Sequence, residues 1–591
     1  MQLKLSKNSG SFHSSIRCFL GVWVLFSLFV LIGCSATETA TAPPNILLII
    51  TDDQGWGDVG FHQNDTIRTP RLDALADESL VLERFYVSPV CAPTRASLLT
   101  GRYHLATGAS WVTHRKEVMR QSEVTIAELL GDNGYRTGLF GKWHNGKQYP
   151  HDPVGQGFDH FLGFTEGHFN NYFDSKLLRN HEEVDFEGYM PDVLTDSAIA
   201  FLSSDDPFFC YVSYNTPHGP FQVPDKYFDP YKSLGLDDKT ACIYGMVENI
   251  DDNVGRLLDA LEQSGKAENT VVIFMTDNGP NSWRYNGGFK GRKAHVDDGG
   301  VRVPFTIRYP EKGWNTGKRI AEMSAHIDLF PTLAGIAGLE IPADLELHGR
   351  DLIATFEGSD QPDRYFFTHQ IRRELDTIPG AVRNNQHGLI LYPERKELYD
   401  LMADPYQKED LMDSLPDVAQ DLESRYRNWY TSMTSAGMEP ELAEIGHPAI
   451  PFVDLPAQEV IARENVGFHG GFGWANDYLI DWSDSSRVTW RVKCVEKAQY
   501  RFEISADFQV NQMSIVQFQI NENQLSIPVG VTQEKELIPS PDRVNRGEVY
   551  EYEWPVIKAK TFTFEPGEYD LSIEIQGIEH FELKNIRLIK E

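Results

Sequence analysis

Continuous apolar runs alternate with stretches of helical period through the first two-thirds of the chain. Ile46-Leu-Leu-Ile-Ile50, Phe208-Phe-Cys-Tyr-Val212 and Val271-Val-Ile-Phe-Met275 are unbroken aliphatic and aromatic runs. Such runs predict strands buried on both faces of a parallel sheet. Leu72, Leu75 and Leu80 recur at helical spacing within residues 71–83. A short helix is predicted over 125–130, with Gly131 and Gly134 near its end. Ile243, Met246, Val247, Ile250, Val254, Leu257, Leu258 and Leu261 mark a long helix over 239–263. Further strands are expected over 135–140 and 301–308. The alternation predicts an α/β fold, a mostly parallel sheet with helices on both faces.

The period changes near the C-terminus. Residues 488–492, 500–504, 515–520 and 569–575 alternate apolar and polar with period two, and Pro566-Gly567 punctuates the last hairpin. Short alternating strands of this kind predict a β-sandwich over 456–591. Residues 437–455 are rich in Pro, Gly and Ala and read as a linker.

The N-terminus reads as a targeting segment. Lys4, Lys7 and Arg17 precede an apolar run at 19–32, short for a membrane span. It closes in Leu31-Ile-Gly-Cys34, which looks like a bacterial lipobox. Cleavage before Cys34 leaves 1–33 as signal peptide and 34–43 as tether. Acyl chains on Cys34 would then anchor the protein to a membrane. The expected location is the outer membrane, periplasmic or surface-facing.

The 591 residues, 41% of them hydrophobic, suffice for several domains. A formal net charge of −32 argues against nucleic-acid binding. A polyanionic substrate would therefore need a local cluster of cations. Six cysteines form no dense pattern. Cys210 and Cys242 are either a disulfide or buried thiols.

Chemistry gathers where the apolar runs stop. Asp52-Asp53 and Asp277-Asn278 follow two of them, where open α/β sheets place ligands. Such oxygens suit a hard divalent cation. Cys91-Ala-Pro-Thr-Arg95 sits in a turn entering a helix expected to begin at Ser97 to Leu99. A helix N-terminus and an arginine fork both favour an anion. Lys142 and His144 point the same way if their strand continues. His218 follows another strand, and Lys290, Lys293 and His295 lie in a glycine-rich segment. Taken singly, these groups also fit a buried thiol, a solvated turn and ordinary surface patches, though the place of the Asp pair at a strand's end favours a metal.

In order and spacing, residues 44–436 resemble the type I sulfatases of the alkaline phosphatase-like superfamily, whose signature is Cys-x-Pro-x-Arg. The resemblance implies a catalytic α/β domain at 44–345 and a small α+β subdomain at 346–436, where Glu397-Leu-Tyr-Asp-Leu-Met-Ala-Asp-Pro405 matches. It implies Ca²⁺ held by Asp52, Asp53, Asp277 and Asn278, with Cys91 also facing the metal. Cys91 becomes formylglycine through a maturation enzyme, and its hydrate is the nucleophile. Arg95 steadies the hydrate, Lys142 and Lys293 hold sulfate oxygens, His218 serves the leaving group and His144 the hydrate. Asp277 is a candidate base. Lys293 is chosen over Lys290 because it lies five positions before Asp298-Gly-Gly. Arg292 departs from the small residue often found before that lysine. Trp111, His114, Arg115, His168, Asn171 and Arg284 are the expected substrate contacts.

The sandwich resembles carbohydrate-binding jelly-roll modules, with Trp474, Tyr478 and Trp482 either facing sugar or in the core. The expected activity is sulfate-ester hydrolysis on a sulfated polysaccharide or its oligosaccharides, an algal glycan such as ulvan. The alternatives are a phosphonate or phosphate ester hydrolase of the same superfamily, and a catalytically dead glycan-binding lipoprotein.

Overall fold

β1 (Asn45–Thr51) is buried at every position. Ile46, Leu48 and Ile50 join one core with Leu98, Leu99, Ile126 and Leu130. Leu47 and Ile49 join a second core with Ile243, Met246, Val247 and Ile250. A strand that is apolar on both faces must lie inside a sheet covered on both sides, as its sequence requires. The computed structural model describes residues 42–371 and 374–591, and residues 44–591 form one compact unit. The basic segment, the apolar run at 19–32 and Cys34 lie outside the described residues. Among the described residues no helix is long and apolar enough to cross a membrane.

The main sheet has ten strands. In chain order they are β1, β2 (Leu80–Leu82), β3 (Arg136–Lys142), β4 (His160–Phe164), β5 (Lys176–Arg179), β6 (Glu182–Asp185), β7 (Phe208–Ser213), β8 (Thr270–Thr276), β9 (Phe305–Arg308) and β10 (Arg319–Ile320). Their spatial order is β10-β2-β9-β8-β1-β7-β3-β4-β5-β6. The central strands β8, β1, β7, β3 and β4 run parallel. Antiparallel β9 and β5 join them on either side, so the sheet is mixed.

Helices α1 (Pro70–Asp77), α2 (Cys91–Thr100), α3 (Ile126–Asp132), α4 (Met190–Leu202), α5 (Asp238–Gln263) and α6 (Leu329–Ile336) flank it. α3 opens on a capping box in which Thr125 and Glu128 satisfy each other's backbone N–H groups. The helical spacing over 71–83 is divided: α1 ends at Asp77, and Leu80 enters β2, which pairs with β9 and β10. Tertiary pairing overrides local period there.

A four-stranded antiparallel sheet spans Phe366–His369, Gly380–Arg383, His387–Leu391 and Lys396–Asp400. Helix α7 (Pro416–Met433) covers it through Leu422, Tyr426 and Trp429. Two further sheets form the C-terminal sandwich around Trp490, Phe502, Phe518, Ile573 and Leu588. The stretch 437–455, expected as a linker, carries strands of this sandwich. Ala443–Ile445 pairs with Arg487–Cys494, and Phe452–Pro456 pairs with His580–Lys590. Its prolines and glycines punctuate short edge strands rather than a tether. Cys210 and Cys242 are free and buried.

Candidate active site

The carboxyl ends of β1 and β8 lie side by side, because their residues pair in register from Asn45 with Thr270 to Thr51 with Thr276. This places Asp52 and Asp53 against Asp277 and Asn278. The Asp53 backbone N–H donates to Asp277 Oδ1 at 3.1 Å, and Asn278 Nδ2 donates to Asp53 Oδ1 at 2.8 Å. Asp53 takes a left-handed backbone, φ 69°, which turns its side chain back over the strand end. Asn281, which sequence reasoning did not single out, donates to Asp53 Oδ2 at 3.1 Å. Its place three residues after Asn278 was the available signal.

α2 begins at Cys91 itself, not at Ser97 to Leu99, and every residue of it is buried. Pro93 fits because the first helical turn needs no N–H from it. Oxygens of Asp52 and Asp277 and the Cys91 sulfur all lie within 4.8 Å of one another. Burial pushes the Cys91 thiol pKa up against the pull of Lys142 and Lys293.

Three cations close on three carboxylates. Lys142 Nζ donates to Asp52 Oδ2 at 2.6 Å, and Lys293 Nζ lies 2.5 Å from Asp53 Oδ1. The Arg95 guanidinium donates to Asp277 Oδ2 at 2.7 Å, to Ser213 Oγ at 2.5 Å and to the Lys142 carbonyl at 3.4 Å. Lys290 instead pairs with Glu397. Burial opposes ionisation of Asp53, but Lys293 and His218 hold its carboxyl well below the usual range. Burial and Asp52 push Asp277 up to about 6 against the pull of Arg95 and Lys142.

Two buried oxygens of the cluster, Asp52 Oδ1 and Asn278 Oδ1, have no hydrogen-bond partner. Orphaned hard oxygens beside two further carboxylates are a donor set that fits a divalent cation.

The strand carrying Lys142 does not continue to His144: β3 ends at Lys142, and His144 has φ 69°. His144 Nε2–H donates to the Val112 carbonyl at 2.9 Å, which leaves buried Nδ1 as a free lone pair. Burial and Lys142 hold this imidazole neutral, well below its ordinary pKa. His218 Nδ1–H donates to the Gly219 carbonyl at 2.7 Å, and its Nε2 lies 3.7 Å from Asp53 Oδ2. His168 stacks parallel to His218 at 6.0 Å.

Above this cluster opens a cleft of about 1020 Å³. Cys91, Trp111, His144, His168, His218 and Lys293 line it, as do Arg292 and His295. The other expected substrate contacts are elsewhere. His114 places its two ring nitrogens 2.9 Å and 3.0 Å from the carbonyls of Gln458 and Phe472. Arg115 donates to Gln148, Glu459 and the Glu441 carbonyl. Arg284 grips Asp58 and the Asp53 carbonyl. Asn171 lies by a separate hollow with Pro224 and Arg543. None of these four lines the cleft, and His114, Arg115 and Arg284 are tied to protein partners, so they brace the site. Phe472, Trp474 and Glu548 do line it, and their sequence carried no sign of it.

The sulfatase family profile matches residues 44–339, and a profile described as N-sulphoglucosamine sulphohydrolase, C-terminal, matches 288–430. N-acetylgalactosamine-6-sulfatase of Mus musculus is 32% identical over 371 residues, covering 56% of this chain and 69% of that protein. The solved structure of Ps i-CgsB in complex with k-i-k-neocarrahexaose is 29% identical, with a TM-score of 0.63. That likeness covers 68% of this chain and 95% of that one.

Proposed function

The chain belongs to the sulfatase family, and from that membership we propose that it removes sulfate esters from a sulfated polysaccharide or its oligosaccharides. An algal glycan of the ulvan or carrageenan kind is the substrate class. The carrageenan reading gains support from the likeness to Ps i-CgsB, whose structure holds a neocarrahexaose. The observation that carries the assignment is the convergence of Asp52, Asp53, Asp277 and Asn278 beside Cys91, which itself lines the cleft.

In the proposed mechanism Asp52, Asp53, Asp277 and Asn278 would hold Ca²⁺. Bound there, the ion supplies Lewis-acid polarisation of a sulfate oxygen. Cys91, oxidised to formylglycine, supplies a hydrated aldehyde as nucleophile. Lys142 and Lys293 provide fixed positive charge where the non-bridging sulfate oxygens sit. Arg95 orients Asp277 through its buried ion pair. His218, with Nδ1–H committed to Gly219, acts with Nε2 protonated too and gives that Nε2 proton to the departing sugar oxygen. His144, neutral with Nδ1 free, accepts the proton whose loss releases sulfate.

In the cell the chain is an exported lipoprotein anchored through Cys34 and matured by a formylglycine-generating enzyme. Incubation with carrageenan and ulvan oligosaccharides, with sulfate read by ion chromatography, tests the activity. Sulfate release exceeding turnover of aryl phosphate and phosphonate esters is expected. Preference for the phosphorus esters would favour the hydrolase alternative. Oligosaccharide binding without any turnover, with Cys91 still a thiol in the native host, would favour the binding protein.

A further inference from the structure

We propose that the C-terminal sandwich is part of the catalytic cleft, its Phe472–Trp474 pair stacking on a sugar ring while Glu548 accepts from sugar hydroxyls. The inference rests on the carbohydrate-sulfatase reading and names which part of the chain recognises the saccharide. Neither family profile reaches past residue 430, so this wall is no part of the matched segments.

The wall is built, not merely adjacent. Phe472 and Trp474 stack at 4.3 Å with ring planes 25° apart, and both line the cleft. Trp474 is 38% exposed, although it sits beside buried Trp111 and His168. A flat, partly open aromatic face suits the C–H face of a pyranose, whose weakly positive hydrogens meet the negative face of the ring. Gly473 between the two rings has φ 79°, and a Cβ there would meet Phe468 at 2.6 Å and His114 at 2.9 Å. Only glycine lets the chain turn both rings the same way.

The catalytic domain fixes this loop at three points. Thr113 Oγ1 donates to the Gly473 carbonyl at 2.9 Å, and His114 Nε2 meets the Phe472 carbonyl at 3.0 Å. Asn476 Nδ2 donates to the His168 carbonyl at 3.0 Å. The same segments carry Trp111 and His168 into the cleft, so the aromatic platform keeps a set distance from Cys91. His114 is thus a positioning residue for the platform.

A second loop does the same for Glu548. Arg546 donates to the Asn170 carbonyl at 2.7 Å, the Arg543 N–H to the Phe221 carbonyl at 3.0 Å, and Gln222 to Asp542 at 2.7 Å. Glu548 lies against Gly219, next to His218, and its Oε2 is buried without a hydrogen-bond partner. A lone carboxylate oxygen at a sugar cleft recognises hydroxyl donors and repels a second sulfate. Arg292 and Lys293 line the cleft from the catalytic domain, and Glu374 and Asp376 line it from the following subdomain.

The test compares a small aryl sulfate with a carrageenan or ulvan oligosaccharide in Trp474→Ala, Trp474→Phe and, as an external control on the sandwich surface, Val531→Ala. For Trp474→Ala the fall in kcat/KM on the oligosaccharide should exceed that on the aryl sulfate by about tenfold or more, through KM. Trp474→Phe should recover most of it, and Val531→Ala should change neither. Equal losses on both substrates, or no loss on the oligosaccharide, overturn the proposal. Oligosaccharide binding to the Cys91→Ala chain, measured by calorimetry, separates the two readings. If wild type binds without turnover and Trp474→Ala weakens binding, the sulfatase reading fails and the wall stands. If turnover occurs and Trp474 matters to neither turnover nor binding, the wall alone fails.

Discussion

Replacing Arg95 by Met tests whether the core of the site is an electrostatic assembly. Both partners of the Arg95–Asp277 pair have no exposed side-chain surface. Met keeps the apolar stem but removes the charge and the donors to Asp277, Ser213 and the Lys142 carbonyl. Breaking a buried pair by deleting one member typically costs about 3–5 kcal/mol, because the other charge is left without compensation. Asp277 can escape part of that cost by taking a proton. Burial and Asp52 already push it up to about 6 with Arg95 present. Its folded pKa lies above the unfolded value of 3.8, so the folded state binds more protons between the two. That contribution to stability is full below the unfolded pKa and is lost as pH rises through the folded one. Removing Arg95 raises the folded pKa further and extends the loss to higher pH, by about 1.4 kcal/mol per unit of added shift. Urea denaturation in chelator, at pH 5 and pH 8, gives the answer without a bound cation masking the carboxylates. The variant should lose about 3–5 kcal/mol at pH 8 and distinctly less at pH 5. A loss under about 1 kcal/mol at pH 8, or equal losses at both pH values, would refute the reasoning.

Peptide mass spectrometry across Cys91 in protein from the native host should show about 18 Da less than the thiol, the change from thiol to aldehyde; Cys91→Ala should abolish sulfate release while the protein still unfolds cooperatively. Calcium at a hundredfold excess over its dissociation constant should add about 2.7 kcal/mol to unfolding in wild type, and Asp52→Asn should lose most of that increment in the same titration. His218→Gln should slow release from a sugar, a poor leaving group, by about 10²- to 10⁴-fold, and much less from an aryl sulfate whose phenolate needs no proton. Equal slowing on both would show that His218 is not the acid.

What could be read from the chain alone follows from which signals are local. Ile46–Ile50 and Val271–Met275 announce buried strands because each residue, on either face, must be apolar. Asp52, Asp53, Asp277 and Asn278, the proposed ligands, could be singled out because they follow those strands. Lys293 could be separated from Lys290 by counting back from Asp298, and the structure pairs Lys293 with Asp53 and Lys290 with Glu397. His114 and Arg115 were misjudged because their partners, Gln458, Phe472, Glu441 and Glu459, lie more than 320 positions away. Nothing near them in sequence says that those donors are already used. Residues 437–455 misled for the opposite reason: Pro and Gly are local signals of a break, whereas the strand pairing of 443–445 and 452–456 is distant. For Trp474 the sequence left both a sugar-facing and a core reading, and composition alone leans to the core. Only the contact of its loop with Thr113 and His114 puts it in the cleft.

The charge balance also bears on how an acidic protein could act on the proposed acidic polymer. Asp52, Asp53 and Asp277 face Lys142, Lys293 and Arg95 pair by pair, at 2.6, 2.5 and 2.7 Å. Three negative and three positive charges sum to zero, so the floor of the cleft offers an anion no net attraction through its side chains alone. A divalent cation held by the orphaned oxygens of Asp52 and Asn278 would make that site doubly positive within a chain of formal charge −32. Lys142 and Lys293, paired with Asp52 and Asp53, would be freer to meet an incoming sulfate once those carboxylates also held a cation. Attraction would thereby be confined to the bottom of the cleft, where burial leaves it least screened, while the acidic exterior would repel any polyanion not aligned with the opening. Aromatic stacking at Trp474 and hydroxyl recognition at Glu548 suit such an exterior, because neither needs a positive surface to hold the saccharide.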